Sequence, residues 1–454
     1  MLVFRWVKSE YRGDFAMTNC TIEPIQFPGC KQRKVEAEFS GGNVSSDGGV
    51  LLLRQADRLT GLTKRVAASL RDVRRKASCN HSLRDLLKQR VYAIALGYED
   101  LNDHDSLRKD LAVQTGLGRD VELASKSTLC RFENSQDRKS AWEITAQLVE
   151  TFIESHKEVP KELVLDFDAT DDPVHGEQTG RFFHGYYGRY CFLPLYVFCG
   201  DQLLVAYLRP SNIDASKHTL AILSLLVKRL RRQWPDVNII FRGDSGFCRN
   251  KILSWCEKQD KVFYIVGLAK NSRLLRLGDS LIRSASARFA ESGGKQRLFG
   301  EFQYAAGTWK RERTVIIKAE HTRKGANPRF VVTNILDDPG WLYDNLYCAR
   351  GEMENRIKEQ QLHMFADRTS CHDWWANQFR LLLSSIAYTL VETIRRRGLH
   401  GTELQEAQCD TIRVRLLKIG AVIVRNSRRV RFQLSSAYPW QSLFMVVHTR
   451  LCAG

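Results

Sequence analysis

No stretch of the sequence approaches the ~18 uninterrupted apolar residues that a membrane-spanning helix requires. The opening segment MLVFRWVKSEYRGDFA is broken by Arg5, Lys8 and Glu10 and has no apolar centre, so it does not read as a signal peptide, and Met17 is an alternative start. The 12 cysteines are scattered, with no C-x-x-C pair and no Cys/His group at zinc spacing; Cys371 and His372 are merely adjacent. Reduced, mostly buried thiols in a cytoplasmic protein is the economical expectation. There are no repeats and no low-complexity tracts.

Acids are also in deficit. Asp and Glu number 51 against 69 Lys and Arg, leaving a net charge of +18 and a pI near 9.4. A surplus of that size points to a polyanion partner, because Lys and Arg gain free energy by releasing counterions from phosphates. Solubility bias or an anionic membrane surface is the plainer alternative. What is present suffices for a folded core: 43% of residues are hydrophobic and 10% aromatic, and 454 residues suit two or three packed units.

An N-terminal extension, residues 1–48, is polar and Gly-rich in its second half and ends in the turn signal Ser45 to Gly49. Residues 49–158 read as a helical domain. Leu83, Leu86, Leu87, Val91 and Ile94 fall on one helical face. The segment Leu123 to Asn134 places small polar residues before a short helix carrying Arg131, either a helix-turn-helix reader of DNA or an ordinary capped helix beginning near Ser127. From about Glu162 the pattern becomes strand-like. Leu163–Thr170, Tyr190–Gly200 and Gln202–Pro210 read as strands, Leu220 to Leu230 as a helix, and Val237–Gly246 and Lys261–Ala269 as two more strands. Three strands, a helix and further strands is the order of an α/β, ribonuclease-H-like core over residues 159–398, interrupted by a β-rich insertion at 270–338. A basic C-terminal region follows, 399–454, with Arg413, Arg415, Lys418, Arg425, Arg428, Arg429 and Arg431.

Asp166 and Asp168 project from the same face of a strand that is otherwise apolar, which is costly unless they bind a cation or reach solvent. The turn at Thr170 and Asp171 makes Asp168 the more exposed of the two. Asp244 stands at another strand end, between Gly243 and Gly246, and strand ends are where α/β sheets bind ligands. In LYCARGEMENRIKEQQ, Tyr347, Arg350, Glu354, Lys358 and Gln361 recur at steps of 3, 4, 4 and 3, a polar stripe on one helix face. Taken singly these are turn formers or a solvated face stitched by pairs worth ~0.3–0.5 kcal/mol.

Phosphodiester transfer gives the set a purpose. Two Mg²⁺ ions roughly 3.5–4 Å apart activate the attacking oxygen and stabilise the leaving one, and a few carboxylates suffice to hold them. Asp168, Asp244 and Glu354 would be the metal ligands, with Mn²⁺ an acceptable substitute, while Tyr347 and Arg350 would hold neighbouring phosphates.

DFDATD (Asp166 to Asp171), RGDSGF (Arg242 to Phe247) and Y-x2-R-x3-E (Tyr347 to Glu354) resemble the DDE transposases of bacterial insertion sequences, in particular the transposase DDE domain group 1 branch with its Y-R-E-K signature. The likeness spans roughly residues 35 to 445. It implies cleavage and joining of DNA at terminal inverted repeats, by a dimer or larger assembly on double-stranded DNA in the bacterial cytoplasm. It also implies Asp168, Asp244 and Glu354 as the catalytic acids, the D-x-T pattern favouring Asp168 over Asp166. Where the family's E-x6-K pattern expects Lys the chain has Gln361, and Lys358 is the substitute charge. Trp309, flanked by Lys310, Arg311 and Arg313, is either a base-stacking residue or a half-buried strand tryptophan. A regulator that binds DNA without cutting, and a nuclease without strand transfer, are the competing functions.

Overall fold

The computed structural model describes the chain except residues 1–23, 73, 76–78 and 454, so the two possible start methionines lie outside the described residues. Its centre is one mixed sheet. In chain order the strands are β1 (Glu162–Ala169), β2 (Leu195–Cys199), β3 (Gln202–Tyr207), β4 (Asn238–Gly243), β5 (Val262–Leu268), β6 (Gln296–Tyr304), β7 (Arg313–Thr322) and β8 (Arg329–Thr333). Their spatial order is β6-β7-β8-β5-β4-β1-β2-β3, with Gly325–Ala326 appended to β7. The three central strands, β1, β4 and β5, are parallel, and β2, β3 and β8 pair antiparallel on either side. Parallel strands covered on both faces are apolar along most of their length. Accordingly Leu165, Phe167, Ile239, Phe241, Val262 and Val266 are buried.

The run Tyr190–Gly200 is not one strand: it breaks at Leu193-Pro194, where proline withdraws a ladder donor, into Arg189–Phe192 and β2. The stretch 270–338 opens with two helices, Ser272–Leu277 and Asp279–Ser292, and its strands β6–β8 continue the central sheet beyond β5. Helix Asp279–Ser292 packs on β6 and β7.

The second core is helical. Leu52, Leu86, Leu87 and Val91 from the N-terminal helices pack with Leu382, Ile386 and Leu390 of helix Trp374–Thr393 and with Leu417 and Val447 from the C-terminal region. Helix Leu83–Leu96 begins at a capping box between Ser82 and Asp85. The Ser45–Gly49 turn packs tightly against the C-terminal region. Gly48 and Gly49 donate to the carbonyls of Ile419 and Leu417, and a Cβ on Gly49 would stand 2.0 Å from the Leu416 carbonyl oxygen, so only glycine fits. Asp47 in the same turn accepts from the Tyr98 hydroxyl at 2.7 Å and pairs with Lys418 at 2.7 Å.

Candidate active site

β1 and β4 are in parallel register with Asp166 beside Arg242. Arg242 closes a two-pronged ion pair on Asp166, its Nη2 donating at 2.5 Å, and both side chains are buried. Its remaining nitrogen, Nη1, donates at 2.5 Å to the carbonyl of Leu346. Asp166 is thus neutralised inside the sheet. Asp168, two residues on, is the carboxylate at the strand end.

Asp168 is nearly enclosed. Its Oδ1 accepts from the Ala169 amide at 2.9 Å and its Oδ2 takes Arg350 Nη1 at 3.2 Å. Burial lifts the Asp168 carboxyl to about 6; Arg350 opposes that rise, whereas the negative charges of Asp244 and Glu354 add to it. Asp244 follows β4 directly and accepts from the Gly246 amide at 2.8 Å, which fixes the turn Ser245–Phe247. The third acid arrives on helix Arg350–Lys358, where Arg350 Nη2 donates to Glu354 Oε1 at 2.7 Å. One guanidinium therefore spans an acid from the sheet and an acid from a helix 182 positions away in sequence from Asp168. Burial disfavours the Arg350 charge, and Asp168, Glu354 and Asp244 more than offset it, holding its pKa above the ordinary value.

The helix is clamped at both ends. Before it, the turn Leu342–Tyr347 is wound with five-residue π spacing, and its Leu346 carbonyl is the one held by Arg242. After it, a second π turn, Glu359–His363, buries Glu359 between Arg356 and Arg395, the latter at 2.9 Å from the long helix's end. These π turns break the even stripe expected from α-helical spacing. Tyr347 is half-buried with its hydroxyl over Gly267 of β5; a Cβ there would lie 2.6 Å from that oxygen and 2.9 Å from the Ser245 amide. Gln361 donates to the Asp171 carbonyl at 3.0 Å, and Lys358 is exposed to solvent.

Two further expected DNA contacts, Trp309 and Arg131, have these neighbours. Trp309 lies beside helix Asn250–Cys256, where Asn250 donates to the neighbouring Thr308 carbonyl; its ring is covered by Arg313 at 4.7 Å and edged by Tyr304. Arg131 is exposed on helix Lys126–Asn134, which Ser125 caps, and reaches back to Thr128 at 3.3 Å. Sequence reasoning overlooked Arg242 and Gly267. The signal for Arg242 was available: a basic residue on a buried strand adjacent to a strand with two acids needs one of them as partner.

The donor set suits a hard divalent cation. Asp168, Asp244 and Glu354 offer only carboxylate oxygens, the charges of the latter two add to the rise of the Asp168 carboxyl, and a positive group already bridges two of them. Among the described residues no three Asp, Glu, His or Cys side chains stand close enough to grip one ion. Mg²⁺ needs no such cage, since one or two carboxylates with water and substrate phosphate suffice.

A mixed sheet that gathers acids from two strand ends and a clamped helix around an arginine defines an acidic α/β site. Residues 27–453 match the family model described as transposase DDE domain group 1, and the chain belongs to that family. No curated protein sequence matches it. A solved structure titled "Cryo-EM structure of piggyBac transposase synaptic complex with hairpin DNA" shares 11% identity over 82% of this chain and 80% of that one, with a TM-score of 0.40, too low to bear on fold or function.

Proposed function

We propose that the chain is a DNA-cutting and DNA-joining transposase with a ribonuclease-H-like core and Asp168, Asp244 and Glu354 as its catalytic acids. The single observation that carries this is Arg350 lying between Asp168 and Glu354, with Asp244 close enough to raise the Asp168 carboxyl. Asp168 and Asp244 would hold Mg²⁺ or Mn²⁺, with Glu354 completing the set. When bound, the ions supply charge neutralisation for the attacking and leaving oxygens of the phosphodiester.

The protein's own groups do the positioning. The Arg242–Asp166 pair fixes β1, β4 and the turn before Tyr347 as one unit, so the acids keep their spacing. Arg350, whose side chain pairs with two of the acids, would be free to contact a substrate phosphate once bound cations neutralised them. The Tyr347 hydroxyl, held over Gly267 beside Asp244, is the other phosphate contact. The basic surplus supplies the long-range attraction for duplex DNA. Two element ends must be brought together, so a dimer or larger assembly forms on DNA.

The test incubates the full chain with labelled duplex carrying the element's ends and Mg²⁺ or Mn²⁺, beside Asp168→Ala, Asp244→Ala and Glu354→Ala. The expected result is nicked and joined product from the parent alone. Cleavage surviving Glu354→Ala removes the site assignment, and binding without cleavage in the parent removes the enzymatic reading.

A further inference from the structure

Three segments distant in sequence line an open pocket of about 490 Å³, formed by Lys157, Arg396, Arg397, His400, Arg450 and Ala453. Every lining side chain that can carry charge is basic. Two are held in place: Arg396 by Glu392 at 2.8 Å, and Arg450 by the carbonyls of Gly398 and His400 at 3.0 and 2.5 Å. Among the described residues Lys157, Arg397 and His400 have no carboxylate partner. The pocket is built rather than incidental. The C-terminal helix Gln441–Cys452 docks on the end of the long helix through Val447, whose methyl carbon would be 2.8 Å from a Cβ on Gly398.

Concentrating cations in this way is unfavourable unless an anion shares the cavity. The terminal carbonyls of the long helix attract cations by their dipole, and they account for Arg450, but not for the unpaired Lys157 from another segment.

Its position separates it from the acids. Gln378 on the long helix bonds to Ala206 of β3 and to Leu208 just after it, and Ala206 is level with Tyr196 and hence with Asp168. Arg397 lies 19 residues further along, about 28 Å at 1.5 Å per residue, near the opposite end of the sheet. That is roughly eight steps of duplex at ~3.4 Å each.

We infer that this cavity is a second DNA-backbone site, gripping duplex phosphates about three-quarters of a turn away from the bond that is cut. The inference rests on the proposal that the chain acts on DNA and adds where an outlying stretch of duplex is held. Phosphate oxygens would sit between Lys157 and Arg397, with Arg396 and Arg450 as the fixed walls; such contacts set register and carry no base sequence.

The experiment measures binding of the full chain to a fluorescent duplex of roughly 30 bp across roughly 50 to 200 mM salt. Each lost phosphate contact lowers the log–log salt slope by about 0.9, so Lys157→Ser/Arg397→Ser should lower it by about 2 and weaken binding near 0.1 M salt at least tenfold. Arg397→Lys should restore most of the slope lost at that position, which a purely structural role would not. If the double variant fails to fold, Lys157→Ser alone, in an exposed loop, should still lower the slope by about one. An unchanged slope and affinity in a folded variant overturns the site. Loss of inorganic phosphate or polyglutamate binding with duplex binding intact also overturns it, assigning the pocket to another anion. A parent chain that does not bind duplex overturns the DNA proposal itself, an outcome distinct from failure of the pocket.

Discussion

Arg242 on β4 pairs with Asp166 on β1 and at the same time holds the Leu346 carbonyl. One side chain thereby ties two strands of the sheet to the segment that delivers Tyr347, Arg350 and Glu354. It also distinguishes two acids on one strand face: Asp166 is paired inside the sheet, and Asp168 is the one proposed for chemistry.

Breaking that tie should be costly. Arg242→Met leaves an unpaired buried carboxylate and is expected to destabilise the fold by about 3–5 kcal/mol. Asp168→Asn, which relieves crowding of like charges, should cost little or even stabilise while abolishing strand cleavage. Urea unfolding of both variants beside the parent checks the contrast; equal losses would mean that Asp168 is as structural as Asp166.

Gly267 offers a test of Tyr347. Gly267→Ala forces a methyl to 2.6 Å from the Tyr347 hydroxyl oxygen and 2.9 Å from the Ser245 amide. Overpacking of this kind costs about 1–3 kcal/mol. Tyr347→Phe removes the first clash, so the double variant should be more stable than the sum of the two single effects. Strict additivity in denaturation would show that the hydroxyl does not occupy that space.

Arg350 substitutes for a cation between acids, so its removal should make the protein metal-responsive. Arg350→Met should lose about 1–3 kcal/mol in chelator, and Mn²⁺ should recover more stability in this variant than in the parent. A variant that melts like the parent in chelator would contradict the bridging role.

Acid sensitivity should arise away from the site. His104 is fully buried and its Nε2 lies 3.0 Å from Arg90 Nη1, which can only donate, so Nε2 is the accepting nitrogen and a proton added there would face a cation with no acceptor. Burial, with Arg90 adding, lowers its pKa to about 3 from 6.5. The unfolded chain binds the proton first as pH falls, so this contribution to stability is complete above about 6.5. It declines by up to about 1.4 kcal/mol per pH unit down to about 3. Denaturation at pH 7 and pH 5 of the parent and His104→Gln tests this; an equal pH dependence in both would exclude His104 as a source.

Much of the central sheet was legible because its signal is local. Apolar runs ended by Gly and Asp mark β1, β4 and β5, and the helical face of Leu86, Leu87 and Val91 is buried as its spacing requires. The long-range relations were not legible. Nothing in the periodicity of residues 49–158 shows that they share a core with Leu417 and Val447, some 300 residues later. α-Helical spacing predicts an even stripe from Tyr347 to Gln361, whereas π turns on both sides swing Gln361 onto the Asp171 carbonyl. Helix Asp279–Ser292 leaves little apolar contrast in the sequence, because only one of its residues, Ala285, is buried.

Divalent-cation binding by Asp168 and its neighbours is tested by the thermal melting of the parent, Asp168→Asn and Asp244→Asn over a Mn²⁺ titration. Binding to the folded state raises stability by RT ln(1 + [L]/Kd), about 2.7 kcal/mol at a hundredfold excess over Kd. The parent should show a saturable rise in Tm that both variants lack. An identical Mn²⁺-dependent rise in all three proteins, or none in the parent, would contradict the account.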